Sequence, residues 1–169
     1  MTQVSENIIK QALCTYIAKG TRYITRAEII KSGENSVSLK ADFEIYESCY
    51  LYPGSGHFNA VEALICFNQM LYVALLGGIE QKYYDFYQNI TAEDFNKYRR
   101  QVYILEFEKM KFKKQIDNHH FHGTFEIEKK HSVADKIYAS CKVGFGNDEL
   151  CNNFFGSVKV FIPVIDKAS

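Results

Sequence analysis

Apolar side chains recur at helical spacing in the first part of the chain, where Val4, Ile8, Ile9, Ala12, Leu13, Tyr16 and Ile17 share one face and Gly20 stops the pattern. This spacing predicts a short amphipathic helix over residues 4–18, packed on something larger. From Arg22 to Ile30 and from Val37 to Tyr46 apolar and polar residues partly alternate, and Ser32-Gly33-Glu34-Asn35 between them is turn chemistry. The two runs read as a β-hairpin. A loop rich in breakers follows, Tyr50-Leu51-Tyr52-Pro53-Gly54-Ser55-Gly56. Between Phe58 and Leu76 there is neither Pro nor Gly, and apolar residues occur all around the helical circumference. Such a helix is expected to be buried on every side, with Gly77-Gly78 ending it. Residues 80–100 are more polar, and Thr91-Ala92-Glu93-Asp94 reads as the start of a surface helix, with Thr91 as N-cap and Asp94 closing a weaker capping box.

The second half is dominated by alternation: Val102 to Lys113, Phe121 to Glu128, Ile137 to Gly146 and Phe155 to Ile162 each read as a strand. Six largely antiparallel strands and one helix apolar all round predict an α+β hot-dog fold, a sheet wrapped around a central helix, because that wrapping buries most faces of such a helix. No internal repeat, low-complexity tract or linker divides the chain, so residues 1–169 are expected to form a single domain.

Composition narrows the picture. With 169 residues, 47% of them hydrophobic and 15% aromatic, the chain can build one substantial core. Its 20 basic and 20 acidic residues cancel, which speaks against the broad positive footprint that nucleic acid or an anionic membrane selects. Any anionic partner must be met locally. The N-terminal Met1-Thr2-Gln3-Val4-Ser5-Glu6-Asn7 lacks the pattern of a secretory signal, and no uninterrupted apolar run reaches the length of a membrane span, so a cytoplasmic location is expected. The five cysteines, Cys14, Cys49, Cys66, Cys141 and Cys151, form an odd set without a CxxC and read as reduced core thiols.

Candidate chemistry concentrates in Gly56-His57-Phe58-Asn59-Ala60-Val61-Glu62 and the helix it opens, which carries Asn68 and Gln69 further along. Polar groups on a buried helix cost several kcal/mol if unpaired, roughly 1–3 each, so each is satisfied by protein or kept for a ligand. His57 precedes a helix N-terminus, whose free amides and dipole suit an oxyanion or polarised carbonyl, or it is a loop histidine bonded to backbone. Asn59 is an N-cap or a substrate contact; Glu62 closes a capping box with it or serves as a general base raised by apolar surroundings. Asn68, nine residues after Asn59, points to nearly the opposite side of a straight helix, so both reach one site most simply across a subunit boundary, which argues for a homodimer or higher oligomer. Buried amides bonded to strand backbone are the other reading of Asn68 and Gln69. Tyr83, Tyr84, Phe86 and Tyr87 line an acyl tunnel or fill core. His119-His120-Phe121-His122 has no further ligand at metal spacing, and no metal or cofactor is expected.

Tyr50, the run Gly56 to Glu62, then Cys66-Phe67-Asn68-Gln69 and Tyr72 together resemble the signature of the FcoT-like thioesterase family, a hot-dog group. Weaker similarity runs through Gly20-Thr21-Arg22-Tyr23 and through Phe112-Lys113, and the Gly-His-Phe loop more distantly resembles that of hot-dog acyl-carrier-protein dehydratases. The resemblance implies an enzyme acting on fatty-acyl thioesters of acyl-carrier protein or CoA: addition of glycine across the double bond of a 2-enoyl-acyl-carrier protein, as in isonitrile lipopeptide biosynthesis, or hydrolysis of long-chain acyl-CoA. It implies Tyr50, Asn59 and Asn68 as functional residues, His57 and Glu62 beside them, and Tyr23 as a further member.

Both reactions need donors that polarise the thioester carbonyl, a role open to Asn59 or the helix amides. They part at the nucleophile: hydrolysis needs a positioned water, whereas addition needs a deprotonated amine near Cβ and a group to hold the glycine carboxylate, for which Arg22, His57 or Tyr50 stand as candidates and Tyr52 as a further substrate contact. No Ser-His-Asp or Cys-His set is evident, which argues against an acyl-enzyme. A non-catalytic acyl-thioester or lipid-binding module is the rival from another class.

Overall fold

The computed structural model describes residues 1–34, 36–133 and 136–164, so Asn35 of the predicted hairpin turn lies outside the described residues. Ser5 caps helix α1 (Glu6–Ala12) by accepting from the Ile8 amide at 3.3 Å, and the helix buries Ile8, Ile9 and Ala12. The single helix expected over 4–18 is in fact two, because Leu13 leaves helical geometry before α2 (Cys14–Ile17) begins. The carbonyls freed by that break are taken by Arg99, which donates to Gln11 O at 3.4 Å and Ala12 O at 2.9 Å. Arg99 is buried without a carboxylate partner among the described residues, and the negative end of α1 together with the Tyr72 ring 4.7 Å away supplies its counter-field.

Seven strands form one antiparallel sheet: β1 (Thr2–Gln3), β2 (Ile24–Gly33), β3 (Ser36–Phe43), β4 (Tyr103–Phe112), β5 (Phe121–Val133), β6 (Lys136–Gly146) and β7 (Phe154–Pro163), in the order β1-β2-β3-β5-β6-β7-β4. The six predicted strands are present, and the two-residue β1 adds an edge beside Glu28 and Ile29. The sheet curls around α3 (Ala60–Glu80), which gives the hot-dog arrangement. Under the start of α3, Phe43 stacks on Phe121 at 5.0 Å, and Phe58 lies 4.7 Å from Phe121 and 5.0 Å from Phe145. Gly123 makes room for this cluster, since a Cβ there would stand 2.7 Å from the Phe43 ring and 2.9 Å from Phe145. Phe58 thereby fixes the chain that leads into α3.

Gly77-Gly78 does not end α3, contrary to the expectation from sequence; the helix runs on to Glu80. The two glycines are packing devices: a Cβ on Gly78 would lie 2.3 Å from the Tyr84 ring, and one on Gly77 3.3 Å from Ile29 Cδ1. The reversal falls instead at Lys82, with φ +56°. Tyr84 is held by its hydroxyl, which donates to Ala74 O at 3.2 Å, and Tyr87 donates to Pro163 O. These buried rings are therefore core rather than tunnel wall. A short 3-10 turn, Asp85–Tyr87, leads to α4 (Ala92–Tyr98), which starts with the predicted Thr91–Asp94 capping box.

The central helix is less completely enclosed than its sequence suggested. Val61, Leu64, Ile65, Asn68 and Tyr72 form a stripe that is half-buried or exposed, while Cys66, Phe67, Met70, Val73 and Ala74 face the sheet. By length and composition alone α3 would be long and apolar enough to cross a membrane, a point that inspection for uninterrupted apolar runs missed. At the far edge of the sheet, β4 leaves Tyr103, Leu105 and Phe112 exposed.

Candidate active site at the start of the central helix

Asn59 is the N-cap of α3 that its spacing predicted. Its Oδ1 accepts from the amides of Val61 at 2.9 Å and Glu62 at 3.4 Å, while the Glu62 carboxylate accepts from the Asn59 amide at 3.1 Å, which completes the capping box. A cap of this kind contributes about 1 kcal/mol to the helix. With Oδ1 committed, the Nδ2 amide has no partner among the described residues, and Asn59 lines a surface depression of about 560 Å3 with His57, Phe58, Ala60 and the segment from Phe112 to Gln115.

Glu62 closes the capping box with Asn59. One oxygen, Oε2, closes the cap; the other, Oε1, is buried without a hydrogen-bond partner, and the residue as a whole has 0% exposure. Burial raises its pKa above that of an ordinary glutamate, opposed in part by the Asn59 amide, by Ser48 nearby and by the field of His57. Two more buried hydroxyls make no short hydrogen bond among the described residues: that of Ser48, which lies close enough to the Glu62 carboxylate to lower its pKa, and that of Tyr23, which lies against Cys49. Tyr23 is pushed well above its usual range by burial, with Cys49 and Cys66 adding to the shift. A buried oxygen left without any partner costs roughly 1–3 kcal/mol, so the contacts of Glu62 with Ser48 and of Tyr23 with Cys49 matter to the fold as well as to any chemistry here.

Ser48 and Cys49 also line a second cavity of about 500 Å3, with Thr15, Tyr16, Lys19, Gly20, Thr21, Glu47 and Ile65. Glu62 thus relates to two openings. It is bonded to Asn59, which lines the first, and it adjoins Ser48, which lines the second.

Gln69 holds this arrangement together. Its Oε1 accepts from the amides of Tyr23 at 2.9 Å and Ile24 at 3.2 Å, and its Nε2 donates to Thr21 O at 2.8 Å. It is the buried amide bonded to strand backbone. Asn68 makes no such bond among the described residues and sits half-buried on the open stripe of α3. His57 is exposed; its Nδ1 lies 3.0 Å from Ser55 O, which places the proton on Nδ1 and leaves Nε2 as acceptor. Tyr50 and Tyr52 are exposed on the loop before α3, Tyr52 at 92%.

Arg22 is committed elsewhere: it makes a two-pronged pair with Glu6 at 2.7 and 2.9 Å and donates to Ile24 O at 2.9 Å. Among the cysteines, Cys66, Cys141 and Cys151 are buried as expected, whereas Cys14 and Cys49 are exposed. His119 pairs with Asp117 at 2.9 Å and His122 with Asp42 at 2.7 Å, so two histidines of the predicted run are held by separate carboxylates. Ser48 and Lys19 escaped the sequence reading, because loop residues carry no periodicity to flag them, and Cys49 was read only as a core thiol.

A family profile described as the FcoT-like thioesterase domain matches residues 11–160. A Streptomyces coeruleorubidus protein named (2E)-enoyl-[ACP] glycyltransferase is 28% identical over 122 residues, 72% of this chain and 72% of that protein. A Mycobacterium tuberculosis protein of the same name is 28% identical over 118 residues, 70% of this chain but 63% of its own length. The match therefore spans less than two thirds of the mycobacterial relative. A crystal structure from Syntrophus aciditrophicus, of a protein assigned as a candidate thioesterase, superposes with a TM-score of 0.50 at 12% identity, covering 95% of this chain and 98% of that one. That likeness is one of fold.

Proposed function

The chain belongs to the FcoT-like thioesterase family, and on that footing we propose that it is an enzyme that adds glycine to the β-carbon of a 2-enoyl thioester held on an acyl-carrier protein. The observation that carries this reading is the buried Glu62 carboxylate, with one oxygen fixed by the cap and the other making no short hydrogen bond among the described residues, beside Ser48. The names of the two relatives support the same reaction.

In this reading Asn59 Nδ2 and the α3 amides donate to the thioester carbonyl. Glu62 takes a proton from the glycine nitrogen, the nitrogen bonds to Cβ, and the electrons of the double bond move through Cα onto the carbonyl oxygen. Return of the proton to Cα completes the addition. Lys19, which lines the cavity beyond Ser48 and has no carboxylate partner among the described residues, replaces the committed Arg22 as the cation for the glycine carboxylate. His57 sits at the mouth, Tyr23 forms the inner wall, and Tyr50 and Tyr52 contact the substrate from the rim.

Hydrolysis is the second reading, favoured by the family's description: water replaces glycine in the same cavity and attacks the carbonyl carbon. Mass spectrometry of a 2-enoyl-acyl-carrier protein incubated with the protein separates the two. A glycine-dependent gain in mass is expected; free acid formed without regard to glycine would show the hydrolase, and binding without turnover would show a carrier module.

We also propose that the enzyme works as a homodimer. The start of the β4 edge presents unpaired backbone and exposed Tyr103 and Leu105, away from the end that carries Phe112, and the α3 stripe leaves Val61 at 43% exposure, so a two-fold pairing of these surfaces covers both. Asn68 then faces the partner. Light scattering on a size-exclusion column should give twice the mass of the chain, and a monomeric mass at micromolar concentration would remove this assembly.

A further inference from the structure

Four lysines at the end of β4 and just after it, Lys109, Lys111, Lys113 and Lys114, have no carboxylate partner among the described residues. The acids of the same strand are already used: Lys159 pairs with Glu106 at 2.9 Å and with Glu108 at 2.8 Å, and Glu108 also accepts from the Ser157 hydroxyl at 2.8 Å. All four lysines are exposed.

Two of them are brought together. The ammonium groups of Lys109 and Lys113 lie 5.0 and 5.2 Å from the centroid of one ring, that of Phe155 on β7. Like charges gathered on one aromatic ring without an anion repel each other, and the cation–π contact, about 0.5–1 kcal/mol at an exposed site, holds them there. The patch is thus a preformed receptor for negative charge.

Its position relative to the site is fixed by backbone. The amides of Lys113 and Lys114 donate to Asn153 O at 2.7 and 3.2 Å, Asn153 Nδ2 donates to Gln115 O at 3.1 Å, and the Phe58 amide donates to Ile116 O at 3.0 Å. The segment with the lysines and the loop with His57 and Asn59 therefore form one rim, and Lys113 and Lys114 line the same depression as Asn59.

We propose that this lysine patch is the docking surface for the acidic face of the carrier protein that delivers the acyl thioester, oriented so that the carrier's arm passes the rim toward Asn59. The inference rests on the thioester reading above and commits to a protein partner recognised by charge. Since the net charge of the chain is zero, the attraction is local, strong at low ionic strength and screened by salt.

The test compares the wild type with Lys109→Glu/Lys111→Glu, which leaves the depression beside Asn59 untouched, on one acyl group presented three ways: on carrier protein, on CoA and on pantetheine. The variant should lose roughly tenfold or more in kcat/KM on the carrier-bound substrate, through KM and with a flattened salt dependence, while the pantetheine thioester, which has neither protein nor phosphate, is turned over as before. Unchanged pantetheine turnover also shows that the variant folds. Equal losses on CoA and carrier would replace the docking surface by a phosphate contact, and no loss on carrier would remove it. If the wild type turns over none of the three, the thioester reading itself fails, a result distinct from failure of the patch.

Discussion

Replacement of Glu62 by glutamine is expected to lower glycine addition by at least a hundredfold while leaving the protein folded. Glutamine has nearly the shape of glutamate and its carbonyl oxygen still accepts from the Asn59 amide, so the capping box survives. What is lost is the proton acceptor, and a positioned general base is worth roughly 10²–10⁴ in rate. The pH profile carries a second signature. Burial raises the Glu62 pKa, so in the wild type activity should fall as pH drops through a value above that of an ordinary glutamate.

Stability should move the other way. A carboxyl whose folded pKa is raised favours the fold when protonated, and that contribution is lost as pH rises through the folded pKa. The neutral amide of the Glu62→Gln variant is spared this loss, so its melting temperature relative to wild type should be higher at pH 8 than at pH 5. Thermal denaturation at the two pH values, alongside product analysis by mass spectrometry, checks both expectations. Retained activity in Glu62→Gln would leave the buried carboxylate as a cap and nothing more. Lost activity with an unchanged stability difference would mean that folding does not raise the pKa of the carboxylate.

The capping box was visible in the spacing of Asn59 and Glu62, and so was the class of fold, because strand alternation and an all-round apolar helix are local patterns with one common packing solution. Which polar atom of each residue the cap leaves over was not. Spacing places a side chain on a helix turn but does not say which of its two polar atoms is consumed, and it is the leftover atom, Asn59 Nδ2 or Glu62 Oε1, that bears on chemistry. Gly77-Gly78 illustrates the opposite failure. Sequence reads a glycine pair as a stop because of backbone entropy, whereas here the missing Cβ atoms admit Tyr84 and Ile29, contacts that depend on elements distant along the chain. The break at Leu13 is of the same kind, stabilised by Arg99 from the far side of α4. Ser48 lay beyond reach for another reason: its only credential is its place beside Glu62, and loops acquire such places from the elements that flank them.

Gln69→Leu should be the most destabilising single change near the site. Leucine matches glutamine in volume, so the effect is one of hydrogen bonding rather than of a cavity. The amides of Tyr23 and Ile24 and the carbonyl of Thr21 would lose their partners at once, in a place that Gln69, with 0% exposure, shuts off from solvent. At roughly 1–3 kcal/mol for each buried group left unmet, and with partial relief by relaxation, the loss is about 3–5 kcal/mol. For a domain of this size that corresponds to a drop of roughly 10 °C in melting temperature. Gln69→Glu should do better than leucine at the two amides but leave the Thr21 carbonyl without a donor, and it buries a charge. Activity measured well below the new melting temperature adds the link to function. Gln69 fixes the start of β2 and, just before it, Tyr23, whose hydroxyl lies against Cys49 of the second cavity, and a displacement of about 1 Å in a positioned group costs on the order of a hundredfold in rate. A variant that melts early yet turns over substrate normally in the cold would separate Tyr23 from the chemistry. One that is slow while still fully folded would place the clamp between helix and strand among the features that build the site.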